Sequence, residues 1–163
     1  SVEWGSDCSS DLTLAGMRKN FCWDEVRQAH NLFVQHGIPG SHFIIFGGPG
    51  ETPETVRAGI RNLAELDYAV VFGGIGVRIF PNTGICELAK ETGIIQDESE
   101  LFNREVYYHS PGVDLDWLHN YLVESFKVKR NWIFPWAGVA ERNRYMHNSG
   151  FRGPLWDLLL KKR

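Results

Sequence analysis

The segment best placed to do chemistry is a continuous apolar run, His42-Phe43-Ile44-Ile45-Phe46, which opens into Gly47-Gly48-Pro49-Gly50-Glu51 and then Thr52-Pro53. A buried strand that passes through a glycine turn into a helix N-terminus leaves backbone N–H groups at the carboxyl end of a sheet, where parallel sheets bind ligands. The glycines are not those of a dinucleotide fingerprint, because Pro49 interrupts the turn, and no Lys-Ser/Thr pair follows to make a P-loop. The segment therefore reads either as a ligand site or as a tight, ligand-free turn. Gly73-Gly74-Ile75-Gly76 is different. It leads into an apolar strand, so a bulge or a close backbone approach accounts for it better than a nucleotide does.

Two charged residues stand inside strand-like sequence. Glu3, between Val2 and Trp4, is expected near the same rim as Gly47 and Arg78. If buried there, its carboxylate needs a partner, which could be a pair of ribose hydroxyls or a neighbouring Arg or Lys. Arg78, between Val77 and Ile79, raises the same question with the sign reversed. The histidines (His30, His36, His42, His109, His119, His147) show no metal-ligand spacing, and His30 and His42 read as packed core or rim residues. Cys8, Cys22 and Cys86, separated by 14 and 64 positions, make no CxxC or CxxxCxxC, so they offer no self-contained zinc or iron–sulfur site and read as idle thiols. No GxSxG nucleophile elbow occurs. Asn131 to Trp136, rich in aromatic residues, could form one wall of a substrate pocket.

The elements that must position these groups follow from periodicity. Val2 to Trp4 reads as the end of a strand. Val26, Ala29, His30 and Phe33 recur at helix spacing from Asp24, and Gly37 followed by Pro39 ends that helix. Thr52 as N-cap and Pro53 behind it start a second helix with Val56, Ile60, Leu63 and Ala64 facing inward. Ala69–Phe72 and Val77–Phe80 form one strand bent at the glycines or two short pieces. A short helix is expected at Cys86 to Glu91, an extended piece within Leu101 to Tyr108, a helix carrying Leu115, Leu118, Leu122 and Phe126, and helix again at Leu155 to Leu160. Strands and helices alternate with about 28 to 40 residues per unit. That argues for right-handed βαβ crossovers, an α/β fold with parallel strands. A closed eight-fold barrel needs roughly 250 residues, so this chain can supply part of a TIM-type barrel with an irregular, mainly helical tail. The expected division is 1–95 for the half barrel and 96–163 for the extension.

Composition limits the function classes. A net charge of -3 among 163 residues, with no like-charge run longer than Lys161-Lys162-Arg163, argues against a basic nucleic-acid binder. No apolar stretch approaches the roughly 18 residues of a membrane span. The chain opens at Ser1 without a signal peptide or an initiating Met, and the expectation is a cytoplasmic fragment of something longer.

Three motifs in order then resemble those of radical S-adenosylmethionine (SAM) enzymes, in particular the cobalamin-binding branch with lipid-biosynthesis and methylase-like members. Val2-Glu3-Trp4-Gly5-Ser6-Asp7 is similar to that family's fourth strand, and His42 to Thr52 to its fifth. Val77 to Gly84 is similar to its sixth, followed by Glu87-Leu88-Ala89 and Gly93-Ile94-Ile95. The likeness covers residues 1 to 95. It implies that Glu3 and Ser6 hold the ribose or amino-acid part of SAM. It further implies that Phe46 and Gly47 line the adenine and that the backbone of Ile79 and Phe80 contacts it. It implies SAM and a [4Fe-4S] cluster in a full-length parent, with cobalamin and methyl transfer by analogy. The expected partners are a small-molecule substrate, the upstream half of the barrel, and another copy through an open sheet edge. The chain departs from the family in lacking the CxxxCxxC loop, so alone it is expected to be inert, with nothing bound. Two other readings stand beside this one: a phosphate-binding α/β-barrel isomerase or aldolase with Gly47 to Glu51 as the cradle, and a non-catalytic module whose sheet edge pairs with a partner.

Overall fold

The structure is a computed structural model that describes residues 1–135, 139–153 and 155–160. Trp136 and Pro154 lie outside the described residues. In chain order the first elements are β1 (Val2–Asp7), α1 (Asp11–Gly16), α2 (Trp23–Gln35), β2 (Gly40–Phe46), α3 (Pro53–Ala64) and β3 (Ala69–Ile75). They are followed by β4 (Val77–Arg78), α4 (Gly84–Glu91), α5 (Glu100–Asn103), β5 (Tyr107–Tyr108), α6 (Leu115–Lys127), β6 (Trp132–Ile133) and α7 (Val139–Asn148), and by a 3-10 turn at Leu155–Leu159. The main sheet has the order β1-β2-β3-β6, and each neighbouring pair is parallel. The α/β class with parallel strands is therefore the one expected, and among the described residues β1 is an edge strand paired to β2 alone.

Local chemistry explains where the helices start. The Thr52 hydroxyl accepts the Thr55 N–H, Pro53 takes the first helical position, and Thr55, Val56, Gly59 and Leu63 are the buried face of α3. Ala64, expected inward, is exposed, since it stands about 100° round the helix from Leu63. In α6 the Asp114 side chain caps Trp117, and Leu118, Leu122 and Phe126 turn inward, whereas Leu115 stays largely exposed. The short helix α1 has no counterpart in the periodicity. It forms because Ser10 caps it and Leu14 buries.

The glycine-rich stretch after β3 resolves into two pieces in two sheets. Gly76, at φ +86°, turns the chain, and β4 then pairs antiparallel with β5. Gly73 is the site of a close approach, since a Cβ there would lie 2.6 Å from the Phe126 ring. The extended piece expected within Leu101 to Tyr108 is β5, at its end, and α5 occupies its first part, because the Glu100 carboxylate accepts the Gln96 N–H and Asp97 accepts the Ser99 N–H, winding a turn. The tail also does more than expected. Trp132–Ile133 pairs with Val71 and Phe72 as the fourth strand, and α6 fills the main core beside Ile44, Phe46, Val56 and Leu63. A second cluster of Val77, Ile79, Cys86, Ala89, Ile95, Val106 and Tyr108 lies under α4.

The sheet has two distinct faces. Trp4 stacks on His42 at 5.6 Å and meets Phe33 of α2 edge-on, so this face belongs to the helices. Strand alternation puts Glu3 and Gly5 on the other face, where both are exposed. Further along, that face is covered by α7 and the 3-10 turn, which enclose a cavity of about 190 Å³ with Phe72 and Ile133.

Candidate functional site

The carboxyl ends of β2 and β3 meet at Gly47 and Gly76. Gly76 N–H donates to the Phe46 carbonyl at 2.8 Å, and Ser110 N–H donates to the Gly47 carbonyl at 2.8 Å. Gly47 itself has φ +81°, a conformation that costs a residue with a Cβ roughly 1–2 kcal/mol. Glu51, almost fully buried, reaches back so that its carboxylate accepts the Gly47 N–H at 3.2 Å and the Thr55 hydroxyl. Burial raises the Glu51 pKa above the usual carboxylate range, against these two hydrogen bonds. The Ser110 hydroxyl donates to the Glu51 carbonyl at 2.9 Å and accepts the Gly112 N–H at 3.2 Å. Gly16 and Gly112 close on the same turn, since added Cβ atoms would stand 2.2 Å from the Pro49 oxygen and 2.7 Å from the Glu51 oxygen. The turn is thus held by α1, α3 and the loop after β5.

This arrangement disfavours a phosphate cradle. The Gly47, Glu51, Thr52 and Thr55 N–H groups all have protein acceptors, and a carboxylate already sits among them. An anion would have to displace the buried Glu51 side chain.

The residues singled out from sequence do not all converge. Gly47 lies at the rim, and Phe46 contributes its carbonyl there, but the Phe46 ring turns into the helix layer against Phe126. Ser6 is buried with its hydroxyl on His42 Nδ1 at 2.9 Å, away from the open face. Glu3 is in register with Ser41, five positions before Phe46 along β2, so it is not at the rim and, being exposed, needs no partner. The expectation failed because β1 continues to Asp7, and it is Asp7, ion-paired with Lys19, that ends the strand. Ile79 is buried in the second cluster, its N–H on the Val106 carbonyl. Phe80 is half exposed, with the Arg78 guanidinium stacked over it at 4.9 Å. Arg78 also pairs with Glu105 at 3.0 Å, which answers its question with an ordinary surface ion pair.

Behind the sheet runs a buried polar chain. His30 Nε2 lies 2.7 Å from the Asp67 carbonyl, His42 Nε2 lies 3.0 Å from His30 Nδ1, and Ser6 follows. A carbonyl can only accept, so with both rings neutral the order is fixed: His30 donates to Asp67, His42 to His30, and Ser6 to His42. Burial, together with the neighbouring His30, lowers the His42 pKa to about 3. This chain fastens β1 to β2, α2 and the α3–β3 connection, and both histidines are core residues.

For a [4Fe-4S] cluster the chain offers no fit. Cys8 and Cys86 are buried, the Cys8 thiol is pushed up to about 12 by burial, and Cys22 is exposed at the start of α2. Among the described residues no group of three or more His, Cys, Asp or Glu could hold a metal ion. Nor is any helix of the described residues long and apolar enough to cross a membrane. Sequence reasoning missed His109 and Ser110, which reach the rim from beyond residue 95. Only the Ser-Pro-Gly turn at Ser110-Pro111-Gly112 could have hinted at them.

No protein-family model matches the chain, and no curated protein sequence does either. Among solved structures, the fold is that of part of the radical S-adenosylmethionine methyltransferase TsrM from Kitasatospora setae. One structure of that enzyme, with cobalamin and a [4Fe-4S] cluster bound, superposes at TM-score 0.72 and 22% identity, over 97% of this chain and 37% of that one. A second, with tryptophan substrate and the SAM analogue aza-SAM bound, gives 0.63 and 22%, over 82% of this chain and 32% of that one. The chain therefore spans about a third of the solved proteins it matches.

Proposed function

We propose that this chain is the C-terminal part of the catalytic barrel of a radical SAM enzyme, with a cobalamin-dependent methyl transfer as the reaction class. The observation that carries this reading is the likeness of nearly the whole chain to one portion of such a methyltransferase, with the family's motif order matched along β1, β2 and the β3–β4 segment. Geometry supports it at the rim. Gly47 and Gly76 carry no side chains at the carboxyl ends of β2 and β3, and the His109 ring lies against Gly76, so a flat heteroaromatic group at this rim would meet Gly47 and that ring. In this reading the adenosyl part of SAM binds there, with Gly47, the Phe46 carbonyl and the backbone beyond Gly76 as its wall.

The cluster belongs to a CxxxCxxC loop elsewhere in the parent, because this chain's thiols do not fit it. The open edge of β1 is where the preceding strand of the barrel would pair, and the exposed Glu3 and Gly5 would then face its interior. The small-molecule substrate would enter on that same side. The test is made on the parent. Reconstituted anaerobically with iron and sulfide and then reduced, it should cleave SAM to 5′-deoxyadenosine or transfer its methyl group. This chain alone should remain colourless. A stable stoichiometric cluster on the chain by itself, or a parent with no CxxxCxxC and no turnover of SAM, would overturn the proposal.

A further inference from the structure

His109 stands directly over the junction of β2 and β3. Its neighbour Ser110 donates to Gly47, Gly76 donates to Phe46, and a Cβ added at Gly76 would lie 2.6 Å from His109 Nε2. The ring is therefore in contact with the backbone that joins the two strand ends, and Gly76 is the residue type that makes room for it. Structural duties in this loop fall to its neighbours. Val77 and Arg78 pair with Tyr108 and Tyr107, and Ser110 latches the Gly47–Glu51 turn. Among the described residues the His109 imidazole itself makes no hydrogen bond.

The half-buried ring has two hydrogen-bonding nitrogens that no described residue pairs, so they are left to water or a ligand. We propose that His109 is a ligand-contacting residue of this rim, presenting an imidazole nitrogen to the nucleoside part of an adenosyl compound. The inference rests on the functional reading above and goes beyond it by naming a side chain that none of the three motifs contains. A neutral imidazole carries one donor and one acceptor, which suits the mixed edge of a heteroaromatic base. Burial favours that neutral form.

The test uses the parent protein, selectively isotope-labelled at histidine and glycine, titrated with S-adenosylhomocysteine and followed by NMR at the His109 ring and the Gly47 and Gly76 amides. The expected result is that all three move together, and that His109→Ala weakens binding about tenfold. His109→Gln, which keeps a donor and an acceptor, should recover part of that loss. If the amides move but the ring does not, or if His109→Ala stays within twofold of the wild type, this inference is overturned and the reading of the rim stands. If nothing moves at millimolar probe, the inference is also overturned, while radical SAM parentage is decided separately by SAM cleavage in the parent. Should His109→Ala fail to fold, the wild-type ring shifts decide the matter alone.

Discussion

Removing the Glu51 side chain tests how the rim is held. In Glu51→Ala the Gly47 N–H loses its acceptor inside a closed turn, a loss of roughly 1–3 kcal/mol for an unsatisfied buried donor. Thr55 does not add to this, because its hydroxyl can also donate to the Thr52 carbonyl at 2.9 Å. The vanished charge-assisted bonds and stem are partly offset by no longer burying a carboxylate, so the net loss is about 2 kcal/mol. For a domain of this size that is a fall of about 4–8 °C in Tm. Glu51→Gln fills the same space and should stay within about 1 kcal/mol at neutral pH. The two variants separate packing from charge. Because burial raises the folded-state pKa of Glu51, the native protein holds that proton more tightly than the unfolded chain does. Its contribution is fully present below the ordinary value of 4.5 and is lost as pH rises through the raised value. Relative to wild type, Glu51→Gln should therefore gain between pH 4.5 and neutrality. Urea denaturation followed by tryptophan fluorescence at the two pH values measures both effects. A loss under about 0.5 kcal/mol in Glu51→Ala, or a difference between wild type and Glu51→Gln that does not change with pH, would refute the account.

Other outcomes follow from the same geometry. His42, with its pKa lowered to about 3, should show ring resonances that do not titrate between pH 8 and 4. Since its folded pKa is depressed, its contribution is present above the ordinary 6.5 and is lost as pH falls towards 3, by up to about 1.4 kcal/mol per pH unit. Ser6→Ala should cost about 1–2 kcal/mol in chemical denaturation by leaving His42 Nδ1 without a donor, and Ser6→Cys should cost less. Leu118→Ala, at a fully buried position in α6, should lose about 2–5 kcal/mol by the same assay. Gly76→Ala meets both a φ of +86° and the His109 ring; a loss of at least about 1 kcal/mol together with displaced His109 resonances is expected.

How far the sequence foretold this molecule can be read from a few residues. Thr52-Pro53 announced α3 because capping is local chemistry, and the run from His42 to Phe46 announced β2 because burial on both faces leaves no polar position. Trp132–Ile133 was illegible as a strand. Two residues carry no period, and their pairing with Val71 and Phe72 is decided by tertiary contact. The site was half legible. Gly47 stood out by its turn. The orientation of Ser6 and Phe46 towards the helices depends on the phase of alternation, which a single strand does not reveal. Glu3 was misplaced because the end of β1 lies four residues further on, at Asp7. His109 comes from a loop whose route back to Gly47 no local pattern encodes.

The fourth strand arrives long after the third. During synthesis on a ribosome, β1, β2 and β3 are all made before Trp132 exists, so the outer margin of β3 has no covering partner for more than fifty residues of translation. An interrupted message that stopped short of residue 131 would leave Val70, Val71 and Phe72 as a bare template for strand addition. Soluble yield thus depends on Trp132 and Ile133 being made to pair with β3, far along the chain from the glycine turn where the chemistry is proposed.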